Sequence, residues 1–320
     1  MIWTIDTTQI ELLAKCNLKC RHCSNATQNV DSELSPQAVK KIVDQLATFD
    51  VKTVVLSGGE PFLYHPLAEI VDYIYSKNIM IQINTNGVLL STHISWLEKY
   101  KRLLTLQVSM DGYDASTYKF IRNSNSFDSV VDNILGATAL GINVEMKAVL
   151  SKQTAPHYQL FQALSEKLNA RITYGYIARQ GRAIGNENAI CLLPTEIIES
   201  FKEMTHDGIM TVQKGIFKSD RCPLIFSPGT IGAMRITNEG DCYPCIGFSG
   251  HALILGNVFE HSIHEMLNDY NSYRKLLLDM IYNKQCLLCG ARRNSPRPGC
   301  IVSCKYFGNM SCGLIIEGEL

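Results

Sequence analysis

Short apolar runs and longer amphipathic runs alternate along the chain from about residue 9 to residue 205. The short runs have the length of strands, and the longer runs repeat hydrophobic residues at helical spacing. The predicted strands are residues 10–14, 53–56, 79–84, 104–109, 143–149 and 171–176, and the clearest predicted helices are residues 36–48, 66–76, 94–100, 127–140 and 157–168. Six such repeats predict an α/β fold with a parallel sheet and outer helices. We expect a partial (β/α)6 barrel, with a complete barrel or an open doubly wound sheet as alternatives.

Residues that favour helix ends support this assignment. Ser35 precedes Pro36, a suitable N-cap followed by a favoured first helical residue, and Gly141 closes the helix predicted over residues 127–140. In barrels of this kind the active site gathers where the strands end.

The alternation stops after about residue 206, where Gly, Pro and Cys become frequent and helical periodicity persists mainly over residues 263–283. We predict a barrel domain at residues 1–205 and a second domain at residues 206–320, with a bridging segment at about residues 206–221. A loop-rich segment needs a staple other than a hydrophobic core, and eight of the twelve cysteines lie in it.

Composition narrows the class of protein. Thirty Lys and Arg balance thirty Asp and Glu, so no chain-wide field attracts nucleic acid or an anionic membrane. No signal peptide and no uninterrupted apolar run of about 18 residues is present. We therefore expect a cytoplasmic protein without nucleic-acid or membrane partners. Free thiolates in a reducing compartment bind metals, so the twelve cysteines indicate metal sites.

The first cysteine cluster directly follows the first predicted strand. Cys16, Cys20 and Cys23 have C-x3-C-x2-C spacing. Three thiolates can hold three irons of a cubane cluster and leave the fourth iron open, as a catalytic site requires. The alternative is a zinc knuckle that takes a fourth ligand from elsewhere in the chain.

Residues suited to ligand binding follow two other strands. They are Ser57, Gly58, Gly59 and Glu60 after the second strand, and Ser109, Asp111 and, further on, Arg122 after the fourth. Paired glycines allow close approach to the backbone, and Glu60 offers an acceptor to an ammonium group. We expect these residues to share one edge of the sheet with the cysteines.

These motifs together resemble the radical S-adenosylmethionine (radical SAM) enzymes with a C-terminal SPASM domain, a subgroup that mostly matures peptides or proteins. The resemblance implies that Cys16, Cys20 and Cys23 hold a 4Fe–4S cluster whose open iron binds S-adenosylmethionine. It further implies contacts to that cofactor from His22 near the adenine, Gly58, Gly59 and Glu60 at the amino group, Ser109 and Arg122 at the ribose and carboxylate, and Asp111 and Arg182 as further contacts.

The resemblance also assigns the C-terminal cysteines to two auxiliary 4Fe–4S clusters, which makes three clusters in all. It places Cys222, Cys245 and Cys304 on the first cluster, and Cys286, Cys289, Cys300 and Cys312 on the second. Cys242 either completes the first cluster or is a free thiol that donates hydrogen atoms. Cys191 remains over, as a small buried residue or a second candidate hydrogen donor. The ten residues between Cys289 and Cys300 exceed the spacing usual in the family.

The resemblance implies an oxidoreductase that cleaves S-adenosylmethionine reductively to a 5′-deoxyadenosyl radical. The radical would remove a hydrogen atom from a ribosomal peptide or small protein and leave a crosslink or an oxidised side chain. Alternatives are a peptide epimerase, a dehydrogenase or epimerase of sugars or aminocyclitols, and a non-catalytic iron–sulfur carrier.

Two partners follow from that chemistry. Reductive cleavage needs a reductase or flavodoxin-type electron donor. With the first cysteine at position 16, we expect no N-terminal leader-binding domain. A peptide would then be recognised by the barrel mouth and the SPASM loops, or through a separate leader-binding partner.

Overall fold

The computed structural model describes residues 3–24, 31–207, 230–244, 246, 254–268 and 270. The strands are β1 Thr4–Leu13, β2 Thr53–Gly58, β3 Met80–Thr85, β4 Leu104–Ser109, β5 Asn143–Leu150, β6 Arg171–Tyr176, β7 Thr230–Ile236, β8 Asp241–Tyr243 and β9 Gly256–Asn257. The α-helices are α1 Pro36–Ala47, α2 Leu67–Ser76, α3 Ile94–Leu97, α4 Ala115–Arg122, α5 Phe127–Ala139, α6 Tyr158–Lys167, α7 Glu187–Ile190 and α8 Pro194–His206. None of the described helices is long and apolar enough to cross a membrane.

The strands form one sheet in the order β6-β5-β4-β3-β2-β1-β7-β8-β9. Strands β1 to β7 run parallel, and β8 and β9 add antiparallel pairs. The first six strands follow chain order without reversal, so right-handed crossovers place their helices on one face. A doubly wound sheet would reverse its order, which rules that alternative out. Within the described residues β6 pairs only with β5, so the predicted partial barrel is confirmed and the sheet is not closed.

Element bounds agree with the prediction to within a few residues, except in β1. This strand begins at Thr4 rather than residue 10, because its polar first half pairs with neighbours on both sides, including Thr4 with Thr230 and Thr7 with Thr53. The predicted cap of α1 is present, since Ser35 Oγ accepts from the Ala38 amide at 3.2 Å. Helix α4 was not predicted, although Asp114 and Thr117 form a capping box at its start.

The segment after residue 205 contributes a strand that the sequence pattern did not indicate. Strand β7 lies beside β1 in parallel, from Thr4 opposite Thr230 to Ile10 opposite Ile236. The first described strand of the C-terminal region therefore extends the barrel sheet. The division at residues 205 and 206 stays a prediction.

The two faces of the sheet differ in chemistry. On the face that packs against the helices, side chains such as Ile83, Leu106 and Met146 are fully buried in one hydrophobic core with residues of α1, α2 and α5. The opposite face, here called the inner face, carries Gln82, Asn84, Thr105, Gln107, Glu145 and Lys147, all half-buried. Strand register places them side by side, because cross-strand partners share a face.

Candidate functional site

The cysteine loop follows β1 at the edge of the sheet where the parallel strands end. Cys16 is exposed, Cys23 is half-buried and Cys20 is buried, and none of the three forms a disulfide. Arg182, which follows β6 in the chain, binds the backbone of this loop. Its amide donates to the Cys23 carbonyl and its Nε to the Cys20 carbonyl, each at 2.9 Å.

Hydrogen-bond donors surround the sulfur atoms. Arg122 Nη1 lies 3.3 Å from Cys20 Sγ, and the Leu18 amide lies 3.4 Å from Cys16 Sγ. Asn86 Nδ2 approaches the same Cys16 sulfur at 4.0 Å. Desolvation raises the pKa of the Cys16 thiol, and the Leu18 amide opposes that shift. Donors of this kind stabilise thiolates and tune iron–sulfur clusters. Among the residues described, no three His, Cys, Asp or Glu side chains converge on a single metal-ion position.

The glycine pair serves the cysteine loop. A side chain on Gly58 would overlap the Leu13 carbonyl oxygen, and one on Gly59 would overlap the Lys15 carbonyl oxygen. Gly58 also has a φ of +127°, which side-chain-bearing residues rarely adopt. The backbone just before Cys16 therefore packs directly against both glycines. Their contact with the amino group of S-adenosylmethionine stays a prediction. Both glycines are needed to bring β2 against that segment.

Glu60 is placed by this contact and is almost completely buried. One carboxylate oxygen accepts from the Thr85 hydroxyl at 2.7 Å and from the Phe62 amide at 3.2 Å, and the other accepts from the Asn86 amide at 2.8 Å. Burial raises the pKa of this carboxyl, and these hydrogen bonds oppose the shift. A buried carboxylate held in this way suits a cationic ligand group.

Asp111 is the centre of a buried charge cluster at the same edge. Its Oδ2 lies 3.0 Å from Arg122 Nε and 3.2 Å from His22 Nε2, and its Oδ1 accepts from the Val149 amide at 2.9 Å. Burial alone would raise the pKa of Asp111, but the charges of Arg122 and His22 outweigh it and hold the pKa below its usual range. Asp111 thereby fixes the guanidinium that touches Cys20.

The predicted edge residues thus come together, although several engage the protein rather than open space. Arg122 also donates to the Ser109 carbonyl at 2.8 Å, so both predicted ribose and carboxylate contacts belong to one buried network. His22 and Asp111 pair with each other, and Arg182 binds the loop backbone. Their contacts to S-adenosylmethionine stay predictions.

Sequence reasoning missed Thr85 and Asn86 at the end of β3. Asn86 Nδ2 donates to Asn17 Oδ1 at 2.7 Å, next to Cys16, while the backbone amide of Asn86 and the hydroxyl of Thr85 reach Glu60. The Thr85-Asn86-Gly87 turn after a predicted strand was the available signal. In the sheet, β3 lies between β2 and β4, whose ends carry the predicted residues.

The inner face holds a second polar network. Glu145 Oε1 accepts from Gln107 Nε2 at 2.6 Å and from the Thr173 hydroxyl at 3.1 Å. Nearer β7, Arg235 binds both oxygens of the buried Glu11 at 2.8 and 3.1 Å. This ion pair joins β1 to the first strand of the C-terminal region.

Two further cysteines lie within the described residues. Cys191 is buried among Ile121, Ile177 and Ile190, which fits the small buried residue expected of it. Cys242 lies on β8, fully buried, and burial raises the pKa of its thiol to about 12. The other predicted auxiliary ligands, Cys222, Cys245, Cys286, Cys289, Cys300, Cys304 and Cys312, lie outside the described residues.

Comparison with known proteins agrees with this architecture. Residues 10–152 match the model of the radical SAM superfamily, and residues 229–290 match that of SPASM, an iron–sulfur cluster-binding domain. The mycofactocin maturase MftC of Mycolicibacterium smegmatis is 29% identical, and that of Mycobacterium tuberculosis H37Rv is 25% identical. Each alignment covers 96% of this chain and 80% of the relative.

A solved structure shares the fold. Streptococcus suis SuiB bound to S-adenosylmethionine superposes with a TM-score of 0.72 at 19% identity, over 90% of this chain and 71% of SuiB. A sheet wound in chain order with three cysteines after its first strand defines a radical SAM barrel. The chain belongs to the radical SAM superfamily and carries a SPASM domain.

Radical SAM enzymes with a SPASM domain use S-adenosylmethionine and iron–sulfur clusters as cofactors. The described residues fit that requirement. Three cysteines without disulfides lie on one loop, and the guanidinium of Arg122 donates to the sulfur of Cys20. The buried carboxylate of Glu60 lies near the same loop and suits the ammonium group of the cofactor.

Proposed function

We propose that this protein is a radical SAM peptide maturase of the oxidoreductase type. It acts on a ribosomal peptide or small protein by hydrogen-atom abstraction and leaves a crosslink or an oxidised side chain. The bound cluster and S-adenosylmethionine supply the 5′-deoxyadenosyl radical that this abstraction requires.

The observation that carries the proposal is the end-to-end similarity to the mycofactocin maturases, which extends through both the barrel and the SPASM region. Support also comes from another SuiB structure of the same fold, bound to the precursor peptide SuiA, with a TM-score of 0.68 and 17% identity over 85% of this chain and 67% of SuiB. We therefore prefer a peptide to a sugar or aminocyclitol as the substrate class.

The residues at the barrel edge have distinct roles in this proposal. Cys16, Cys20 and Cys23 hold the catalytic cluster. Glu60 receives the ammonium group of S-adenosylmethionine. Gly58 and Gly59 keep Glu60 beside the cysteine loop, because they allow close packing against residues 13–15.

The buried network beside this site positions the remaining contacts. Asp111 holds Arg122 against Cys20 and keeps His22 next to the loop. Ser109 and Arg182 complete the predicted cofactor contacts. Asp111 and Arg122 are buried, so they also exclude water from the reacting atoms.

The C-terminal cysteines complete the proposed electron path. They would hold two auxiliary 4Fe–4S clusters, with Cys242 as a ligand of the first, so the loaded protein would contain about twelve irons per chain. A reductase or flavodoxin-type protein would supply the electron for cleavage. The peptide substrate would be recognised by the barrel mouth and the SPASM loops, or through a separate leader-binding partner.

The test uses iron-loaded protein under anaerobic conditions with a reductant, S-adenosylmethionine and the peptide encoded beside this protein. We expect 5′-deoxyadenosine together with a peptide lighter by two hydrogens, measured by mass spectrometry. 5′-Deoxyadenosine without a change in peptide mass would overturn the oxidative proposal and favour epimerisation.

A further inference from the structure

Lys147 is a half-buried amine on the inner face with no role in the site described above. Strand register places it between Ser109 of β4 and Thr173 of β6, near the edge where the strands end. Its Nζ donates to the backbone carbonyl of Tyr174 at 3.1 Å. The Lys147 side chain lies over Gly175, where an added Cβ would be in ordinary van der Waals contact with Lys147 Cε at 3.4 Å and Nζ at 3.6 Å.

The nearby carboxylates are already engaged. Asp111 pairs with Arg122 and His22, and Glu145 accepts from Gln107 and Thr173. Among the described residues, no carboxylate oxygen lies within the 4.0 Å salt-bridge distance of Lys147 Nζ. The amine of Lys147 therefore feels the charges of Glu145 and Asp111 but has no direct ionic partner among the described residues.

Burial and the nearby charges have opposite effects on the pKa of Lys147. Burial lowers the pKa of its ammonium group, whereas the charges of Glu145 and Asp111 oppose the shift, and burial has the larger effect. Arg171 lies opposite Glu145 in register and is exposed. The Tyr174 hydroxyl donates to the Tyr158 carbonyl on the helix side. A larger fraction of Lys147 is therefore neutral near neutral pH than for a lysine in water.

We propose that Lys147 is the proton acceptor in the oxidation of the peptide, an inference that rests on the proposed function. Abstraction of a hydrogen atom breaks a substrate C–H bond and leaves a carbon radical. That radical loses a proton from its adjoining N–H or O–H group to the neutral Lys147 amine, which becomes an ammonium. A C=N or C=O double bond forms as the radical also gives up one electron, for which an oxidised iron–sulfur cluster held by the SPASM domain would be the acceptor.

Position on the inner face favours Lys147 over Glu145 for this step. Lys147 is in register with Ser109, the last residue of β4, whereas Glu145 lies one pair of residues deeper, opposite Gln107. The Oε1 atom of Glu145 also already accepts two hydrogen bonds. The amine is therefore nearer the edge that holds the cysteine loop.

The test compares iron-loaded wild type with K147M, K147R and K147A. K167M serves as the matched control, because Lys167 is exposed on α6. Modified peptide formed per 5′-deoxyadenosine released is the main readout. We expect K147M and K147R to lose about 100-fold in this ratio while still releasing 5′-deoxyadenosine, since a positioned base contributes about 10²–10⁴-fold. K167M should match wild type.

The pH dependence separates proton transfer from a structural role. Wild-type product formation should rise with pH as the Lys147 ammonium loses its proton, and K147M should lose that rise. Small primary amines should partly rescue K147A, at a pH that follows the pKa of the added amine.

Three other outcomes would contradict the proposal, and they distinguish failure of the Lys147 assignment from failure of the proposed function. K147M with the wild-type ratio would reject Lys147 as the acceptor and leave the proposed function intact. An equal loss of 5′-deoxyadenosine and product, without amine rescue, would assign Lys147 a structural or cofactor-binding role instead. Wild type that modifies no peptide would overturn the proposed function and the Lys147 proposal with it.

Discussion

The two faces of the barrel sheet have the same strands but opposite chemistry. On the helix side, Ile83, Leu106 and Met146 are fully buried in a continuous apolar core. On the inner face, Gln107 and Glu145 lie in the same strands one residue away and bind each other. The alternation therefore separates a face that stabilises the fold from a face of polar side chains.

Closed (β/α)8 barrels fill their interior with branched apolar side chains and form a packed core. Here the interior positions are amides, carboxylates and an amine, and β6 has no second strand partner within the described residues. Such a face offers hydrogen bonds to a polar ligand. We propose that this face binds the amide groups of the peptide substrate, next to the edge that carries the cysteines.

The largest expected effect concerns the cysteine loop at the sheet edge, which belongs to neither face. Simultaneous Cys16→Ala, Cys20→Ala and Cys23→Ala substitution should abolish 5′-deoxyadenosine formation, because no protein ligand for the catalytic cluster remains. Iron analysis should show about four irons fewer per chain, with the auxiliary-cluster absorbance retained. Retained cleavage of S-adenosylmethionine would refute the assignment of this loop.

The next largest effect concerns the charge cluster of Asp111, Arg122 and His22 at the sheet edge. Asp111→Asn should lower the free energy of unfolding by about 3–5 kcal/mol, because it leaves the Arg122 guanidinium buried without its carboxylate. Denaturant unfolding under anaerobic conditions measures this change. Asp132→Asn, at an exposed position on α5, is the control and should change stability by less than about 0.5 kcal/mol. Equal stability of the two variants would show that the Asp111 cluster does not hold the edge together.

The smallest of these effects compares the two faces directly through neighbouring residues of β3. Ile83→Gln should cost about 3 kcal/mol of stability, because it places an amide in the apolar core. Gln82→Leu should cost about 1 kcal/mol or less, since it removes only the hydrogen bond to Asn84.

The same pair should separate stability from activity. Gln82→Leu should reduce peptide modification while 5′-deoxyadenosine release continues. If Ile83→Gln and Gln82→Leu lowered the free energy of unfolding equally, measured by denaturant unfolding, the inner face would be packed core rather than a substrate-binding face.

Local sequence signals predicted most of the barrel because each element carries its own periodicity. The polar first half of β1 and the whole of β7 escaped prediction, since their pairing with each other brings together residues that are far apart in the sequence, such as Thr4 and Thr230. No local pattern records such a contact. The extension of the sheet into the C-terminal region could be seen only in three dimensions.

The candidate site shows the same division. The cysteines, Glu60 and Asp111 were predicted because they follow strands at recognisable spacings. The sequence did not reveal that Gly58 and Gly59 accommodate the backbone of residues 13–15, or that Asn86 joins Glu60 to the cysteine loop. Those contacts depend on how neighbouring strand ends meet.

Deuterium transfer tests the central claim most directly, namely that a radical formed at the edge abstracts hydrogen from a peptide. Iron-loaded protein would be incubated with S-adenosylmethionine, reductant and the neighbouring peptide deuterated at one residue type at a time. We expect one labelled peptide to transfer deuterium into 5′-deoxyadenosine as the modified peptide forms. Modified peptide without deuterium in 5′-deoxyadenosine, for every labelled residue type, would contradict it.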